Sequence, residues 1–269
     1  MKKLSQRPVV ILQSLVTITA LLFFSLASAQ TAEETGLSIA KEMKARDEGW
    51  GNSQSNLVMT LRTRKGDEVV REMRSKSFEV AGDGDMGLTI FDTPLDVKGT
   101  AFLNHSHTTK NDDQWIFLPA LKRVKRIASR NKSGPFLGSE FAFEDLSSFE
   151  IEKFSFKYLR DESLEEQETF VIEMVPTDKY SGYTKVHGWV DKEHYRPQKL
   201  VFFDRRDTLL KTLTFTDYKL YKDKYWRADI QKMINHKSGK STDIQVRNLE
   251  FDVGLDENDF KENRLRRAR

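Results

Sequence analysis

From Asn56 onward the chain alternates: Leu57, Met59 and Leu61 are apolar, while Asn56, Thr60 and Arg62 among them are polar. A period of two is that of a strand with one buried face. Lys65-Gly66-Asp67 ends this run and Val69 to Val80 forms a second. Ala81-Gly82-Asp83-Gly84-Asp85 then turns the chain into Met86 to Phe91, so glycine and aspartate punctuate a β-meander. The same reading predicts strands at Gln114 to Leu118, Arg123 to Ile127, Glu150 to Leu159, Thr169 to Val175, Thr184 to Val190 and Lys199 to Asp204. Leu209 to Leu220, Tyr225 to Asn235 and Ser241 to Val253 follow. Helical spacing is clearest at Thr35 to Arg46, where Leu37, Ala40 and Met43 share a face and Gly49 closes the segment. The charged end, Asp256 to Arg269, is expected to form a last short helix whose large apolar contacts are Phe260 and Leu265.

Within the predicted strands one face is strongly apolar. Phe154, Phe156 and Tyr158 share it, as do Phe170, Ile172 and Met174, then Leu213 and Phe215, then Trp226, Ala228, Ile230 and Ile234. A long antiparallel sheet must cover such a face or expose an aggregation-prone surface, and too few helices are predicted to cover it flat. Curling into a barrel or half-barrel solves this. The apolar interior would be capped by the N-terminal helix and by the segments around Asp92 to Gly99 and Phe141 to Leu146. No internal repeat of fixed period is visible, which argues against a propeller or solenoid.

The first residues change the expected location. Lys2, Lys3 and Arg7 precede a mostly apolar run from Val9 to Leu26, and Ala27-Ser28-Ala29 supplies an A-x-A cleavage site. These are the three parts of a secretory signal peptide, with Gln30 as the first mature residue. The apolar run is also just long enough to remain as an anchor, but the A-x-A site favours cleavage. The chain has no cysteine, so it lacks the acylated cysteine of a lipoprotein and any disulfide. The expected mature chain, residues 30–269, is a soluble, unanchored single domain stabilised by its core. Of the 44 basic residues the leader holds three and no acidic ones, leaving 41 basic against 41 acidic. A balanced charge removes the electrostatic argument for a general nucleic-acid binder.

The usual catalytic signals are missing. No G-x-S-x-G elbow, P-loop or dinucleotide fingerprint appears, and the adjacent carboxylates Glu144-Asp145 and Glu165-Glu166 read as surface pairs rather than glycosidase acids. His105 and His107 are spaced to share a strand face, but two ligands do not make a zinc site. The reading is therefore a non-enzyme with no cofactor and no metal. A transmembrane β-barrel fits less well, because the chain ends in Arg266-Arg267-Ala268-Arg269 and the polar strand faces carry many Lys, Arg and Asp.

The most distinctive stretch reads Trp115-Ile-Phe-Leu-Pro-Ala-Leu-Lys-Arg-Val-Lys-Arg-Ile127, then Lys132-Ser-Gly-Pro-Phe-Leu-Gly-Ser-Glu-Phe-Ala-Phe-Glu-Asp-Leu146. With Thr93-Pro-Leu-Asp-Val-Lys-Gly-Thr-Ala-Phe-Leu103 it resembles the outer-membrane lipoprotein-sorting family, in the LolA-like branch associated with RND-type lipid exporters. The resemblance spans about Ala32 to Leu265. It implies a mainly β fold, a half-open antiparallel β-barrel with covering helices, in the periplasm. It implies a carrier for the acyl chains of a lipid or lipoprotein, working with an inner-membrane RND-type transporter and an outer-membrane acceptor. A non-carrier adaptor with a filled barrel is the alternative.

A carrier is physically required for such cargo: at about 0.8 kcal/mol per methylene, a chain of roughly sixteen carbons costs on the order of 12 kcal/mol to hold in water. Phe154, Phe156, Phe170, Ile172, Trp189, Phe202, Leu213, Phe215 and Trp226 are the candidate lipid-binding wall, or else the filling of a closed core. Phe136 and Leu137, between Gly134 and Gly138, suit either an exposed apolar tip that docks a membrane or a plug tucked into the barrel. Lys122, Arg123, Lys125 and Arg126, with Arg130 and Lys132, form a basic run without an acid. It suits an anionic headgroup, a transporter's acidic patch, or a solvated face.

Overall fold

A capping box starts the one α-helix found among the described residues. In the computed structural model, which describes residues 30–267, Glu34 N donates to Thr31 Oγ1 (3.1 Å) and Thr31 N donates to Glu34 Oε2 (2.9 Å). This sets α1 at Ala32–Asp47, three residues earlier than its apolar spacing suggests, with Gly36, Ile39 and Ala40 buried. The leader, and with it the expected cleavage site, lies outside the described residues. At Gly36 an added Cβ would come within 2.7 Å of backbone atoms of Lys157 and Tyr158. The missing side chain therefore lets the helix rest directly on a strand.

Among the described residues thirteen strands follow: β1 Asn52–Arg62, β2 Glu68–Phe78, β3 Met86–Thr93, β4 Ala101–His105, β5 Asp113–Leu118, β6 Arg123–Ile127, β7 Phe154–Leu164, β8 Gln167–Pro176, β9 Tyr183–Asp191, β10 Pro197–Asp204, β11 Leu209–Tyr221, β12 Tyr225–Asn235 and β13 Ser241–Phe251. They form one antiparallel sheet in the order β6-β5-β4-β3-β2-β1-β13-β12-β11-β10-β9-β8-β7. Two meanders are thus joined by the long-range pair β1–β13, and β6 and β7 remain as unpaired edges. The architecture is the expected half-open barrel, with, among the described residues, one α-helix and otherwise short 3-10 turns as its cover. Thr31–Arg269 is a single compact unit.

The segment 128–153 runs from one edge to the other as a strap. Arg71 on β2 donates to Leu137 O (2.8 Å), Glu140 N to Thr242 Oγ1 on β13 (3.0 Å), Asn235 on β12 to Glu140 Oε2 (2.6 Å), and Tyr183 on β9 to Asp145 Oδ1 (2.7 Å). Lys211 on β11, buried, reaches Asp145 Oδ2 at 2.5 Å and Glu140 O at 3.0 Å. Burial and the Asp145 carboxylate together push the Tyr183 hydroxyl well above its ordinary range. Glu144 accepts from Gly182 N and Ser181 Oγ, both at 2.8 Å. The Glu144-Asp145 pair is therefore fastened inside the fold rather than exposed.

The main core lies on the concave side of the sheet and includes Phe91, Phe102, Phe136, Phe156, Ile172, Phe202, Leu213 and Met233. A second cluster of Leu88, Ile90, Ala101 and Leu103 lies on the other face of β3 and β4, under Phe260 and Leu265. The C-terminal segment that supplies these two residues is a pair of 3-10 turns, Glu257–Phe260 and Glu262–Arg267, rather than the expected helix. Strand β4 was not among the predicted strands. Both of its faces are covered, so its first four residues are all buried and the alternation that would reveal it is absent.

Two face assignments also change. Met233 pairs with Leu213, whereas Ile234 pairs with Thr212 and Ile230 with Thr216. The two isoleucines therefore face outward, with Ile234 38 % exposed, and Met233 takes the inner position. Asp217, at φ 55°, marks the place on β11 where the inward set passes from Leu213 and Phe215 to Tyr218 and Leu220. Such an irregularity shifts the phase of alternation.

A cavity with one apolar and one hydroxylated wall

A cavity of about 1000 Å³ lies under α1 and is bounded by nine of the strands, the strap and the β9–β10 turn. Its size is at the upper end of ordinary ligand pockets, roughly 300–1,000 Å³. The apolar wall includes Leu57, Met59, Met73, Met174, Leu200, Phe215, Ile244 and Val246. At the mouth stand Leu220, 46 % exposed, Asp223 and Lys224 of the β11–β12 turn, and Trp226 of β12.

The wall formed by the first strands differs. Ser53, Ser77, Gly87 and Asn104 are successive cross-strand partners on β1 to β4, and Ser55, Ser75 and Thr89 form the next row. All line the cavity. One row further toward the strap the pairing becomes Leu57–Met73–Phe91.

The C-terminal end of α1 is fastened over the mouth by polar contacts. Asp47 pairs with Arg227, Lys224 Nζ donates to Glu48 O (2.6 Å), and Arg46 donates to Glu193 O (2.8 Å) while lying over the Tyr195 ring. Lys44 reaches inward to Glu150 Oε2 (3.1 Å) and Phe149 O (3.2 Å), and Ser148 Oγ donates to Glu150 Oε1 (2.5 Å). Asp85 borders the same space. Burial pushes its carboxyl up to about 6 against the opposing pull of Lys44, and the Glu150 charge adds to the rise. Asp191, buried, accepts from His194 N (2.6 Å), Arg196 Nε (2.8 Å) and Gln198 Nε2 (3.0 Å) and so shapes the β9–β10 turn. The same arginine lies over the rings of Trp226 and Tyr218.

Of the nine wall residues expected from sequence, Phe215 and Trp226 border this cavity. Phe154, Phe156, Phe170, Ile172, Phe202 and Leu213 belong to the packed concave core beside it. Trp189 lies on the outer face, opposite Val171 and Lys199. There its indole donates to Glu162 Oε1 (3.0 Å) and Lys199 Nζ covers the ring at 3.7 Å. Gly188 and Val190 on either side of it hold the inward positions, which is the physical reason for the change.

Phe136 is a plug rather than an exposed tip: it is 2 % exposed, with ring centroids 5.1 Å from Phe102, 5.6 Å from Phe143 and 5.9 Å from Phe91. Leu137 is half-buried against the same core. Lys122, Arg123, Lys125 and Arg126 are exposed on or beside the edge strand β6, where Arg126 pairs with Asp113. Charged residues there also discourage edge-to-edge pairing. Lys132 is tied to Asp178 at 2.6 Å. His105 contacts Phe260 O through Nε2 (2.7 Å), and His107 lies between Asp83 (2.7 Å) and Asp113 (3.3 Å). The serine rows were missed from sequence. Their signal, in retrospect, is the Ser-x-Ser spacing present in both of two consecutive strands.

A family model described only as an uncharacterized protein matches residues 83–267. An outer membrane lipoprotein-sorting protein domain from Vibrio parahaemolyticus is 62 % identical, with a TM-score of 0.86, over 87 % of this chain and 99 % of that one. A DUF1329 family protein from Desulfovibrio piger is 26 % identical at a TM-score of 0.83, again over 87 % and 99 %. A LolA superfamily protein from Nitrosomonas europaea, 21 % identical at 0.68 over 87 % and 99 %, shares the fold. No curated protein matches the chain.

Proposed function

Because this chain belongs to the outer-membrane lipoprotein-sorting family, we propose that it is a periplasmic carrier of acyl chains. It takes them from an inner-membrane transporter, of the RND type, and moves them within its half-barrel toward the outer membrane. The observation that carries this reading is the cavity of about 1000 Å³ with its continuous apolar wall. An adaptor with a filled barrel would have no use for such a space. The Vibrio parahaemolyticus relative, described as an outer membrane lipoprotein-sorting domain, supports the same direction.

The acyl chain lies along Leu57, Met174, Leu200, Phe215 and Ile244, and enters beneath the C-terminal end of α1. That end is held by ion pairs and backbone contacts at the surface, which exchange with water at little cost. That end can therefore lift while Gly36, Ile39 and Ala40 keep the rest of the helix packed, as loading and release require. Native mass spectrometry of protein purified from the periplasm tests the reading: a bound lipid, released on denaturation, is expected. Protein that carries no lipid and takes up no fluorescent fatty acid would overturn it.

A further inference from the structure

Serine is a poor choice for a surface meant to hold hydrocarbon. Yet Ser53, Ser55, Ser75, Ser77 and Thr89 occupy consecutive inward positions on three adjacent strands, with Asn104 completing one row on a fourth. On a concave face these are the positions that normally carry apolar side chains. Asn104 is already committed, donating to Ser106 Oγ (2.8 Å) and accepting from Gln114 (2.9 Å). The five hydroxyls, by contrast, have no side-chain hydrogen-bond partner among the described residues. Ser53 and Ser55 are 8 % and 9 % exposed, so they face an enclosed space rather than open solvent.

An acyl chain laid along this wall would strip water from five hydroxyls and return nothing, an unfavourable exchange for each. The tail therefore belongs on the Leu57–Phe215 side, and the hydroxyl rows face something that both donates and accepts hydrogen bonds. Charge narrows the choice. Lys44, the cation at this end, is paired with Glu150, and the arginines of the lining, Arg46, Arg196 and Arg227, are paired with Glu42, Asp191 and Asp47. Asp85 presents a carboxyl to the same space. Phosphate or carboxylate would meet that acid, and Lys224, the lining cation without a carboxylate partner among the described residues, is held by Glu48 O at the mouth (2.6 Å). Hydroxyl groups, as donors and acceptors at once, match the wall without any change of charge.

We propose that the hydroxylated end of the cavity is a headgroup site for an uncharged polyol, so that the cargo is a lipid with a sugar or glycerol head held beside its tail. This rests on the carrier reading and specifies its substrate class. The test displaces a fluorescent alkyl probe from the protein with three ligands of one chain length: hexadecyl glucoside, monopalmitoylglycerol and palmitate. The wild-type protein is expected to bind at least one polyol lipid about tenfold or more tighter than palmitate, the equivalent of one or two net hydrogen bonds. The better of the two polyols assigns the head to sugar or to glycerol.

In S53A/S55A/S75A/S77A that preference is expected to fall to within about twofold while palmitate binds as well or better. Each change removes only an oxygen, and the wild-type ranking decides the matter if the variant does not fold. Palmitate equal to or tighter than both polyol lipids, or a preference that survives the four substitutions, would overturn the headgroup site and leave the carrier intact. Failure of the probe and of every ligand to bind would overturn both.

Discussion

Phe136→Ala is the sharpest check on how the strap works. Phe136 sits where the strap makes its tightest turn: its N–H donates to Phe141 O (2.7 Å), its carbonyl accepts from Ser139 N (2.9 Å), and Leu137 and Gly138 follow with φ of 49° and 80°. The side chain is 2 % exposed and meets three phenylalanine rings. Truncating a buried phenylalanine costs about 3–5 kcal/mol. Because this ring also borders the cavity, the space left behind merges with an existing one, which argues for the lower half of that range. A loss of about 3–4 kcal/mol is a large share of the 5–15 kcal/mol typical of a domain. It corresponds to a melting point lower by roughly 6–16 °C at this size.

Urea titration followed by tryptophan fluorescence and by circular dichroism gives both the midpoint and the slope. A loss below about 1 kcal/mol, with an unchanged slope, would refute the plug and return Phe136 to an exposed tip. Phe136→Asp is expected to be worse, since it adds a charge with no partner.

Two further substitutions probe the mouth and the basic edge. The folded-state value of Asp85 lies near 6 against an ordinary 3.8. Its contribution to stability is therefore fully present below about pH 3.8 and is lost as pH rises through 6. The whole shift corresponds to about 3 kcal/mol, and partial exposure reduces this to about 2 kcal/mol. Asp85→Asn does not titrate, so its stability relative to the wild type should rise by about two thirds of that amount, about 1–1.5 kcal/mol, between pH 4.5 and 7.5. A difference that stays flat with pH would contradict the burial argument. R123E/R126E should leave the melting point nearly unchanged, because both residues are exposed, and should abolish co-sedimentation with vesicles containing phosphatidylglycerol. Equal sedimentation of variant and wild type would make the run merely a charged edge.

The chain's alternation determined a great deal by itself. Strands, turns and the one helix follow from period two, from glycine and aspartate, and from the Leu37–Ala40–Met43 spacing, because these reflect local sterics and burial that each segment meets alone. Alternation does not say which face becomes concave, nor where the phase slips. Those depend on partners far away in sequence, above all β1 on β13, and on irregularities such as Asp217. Hence alternation alone puts Trp189 and Ile234 on the wrong face, and β4, covered on both sides, shows no alternation to read. The serine rows were invisible for a related reason. Asn-Ser-Gln-Ser-Asn at the start of β1 reads as a polar loop until Ser53 is brought against Ser77 and Ser55 against Ser75. Only the folded sheet turns scattered hydroxyls into a wall, because a wall is made across strands and a sequence runs along them.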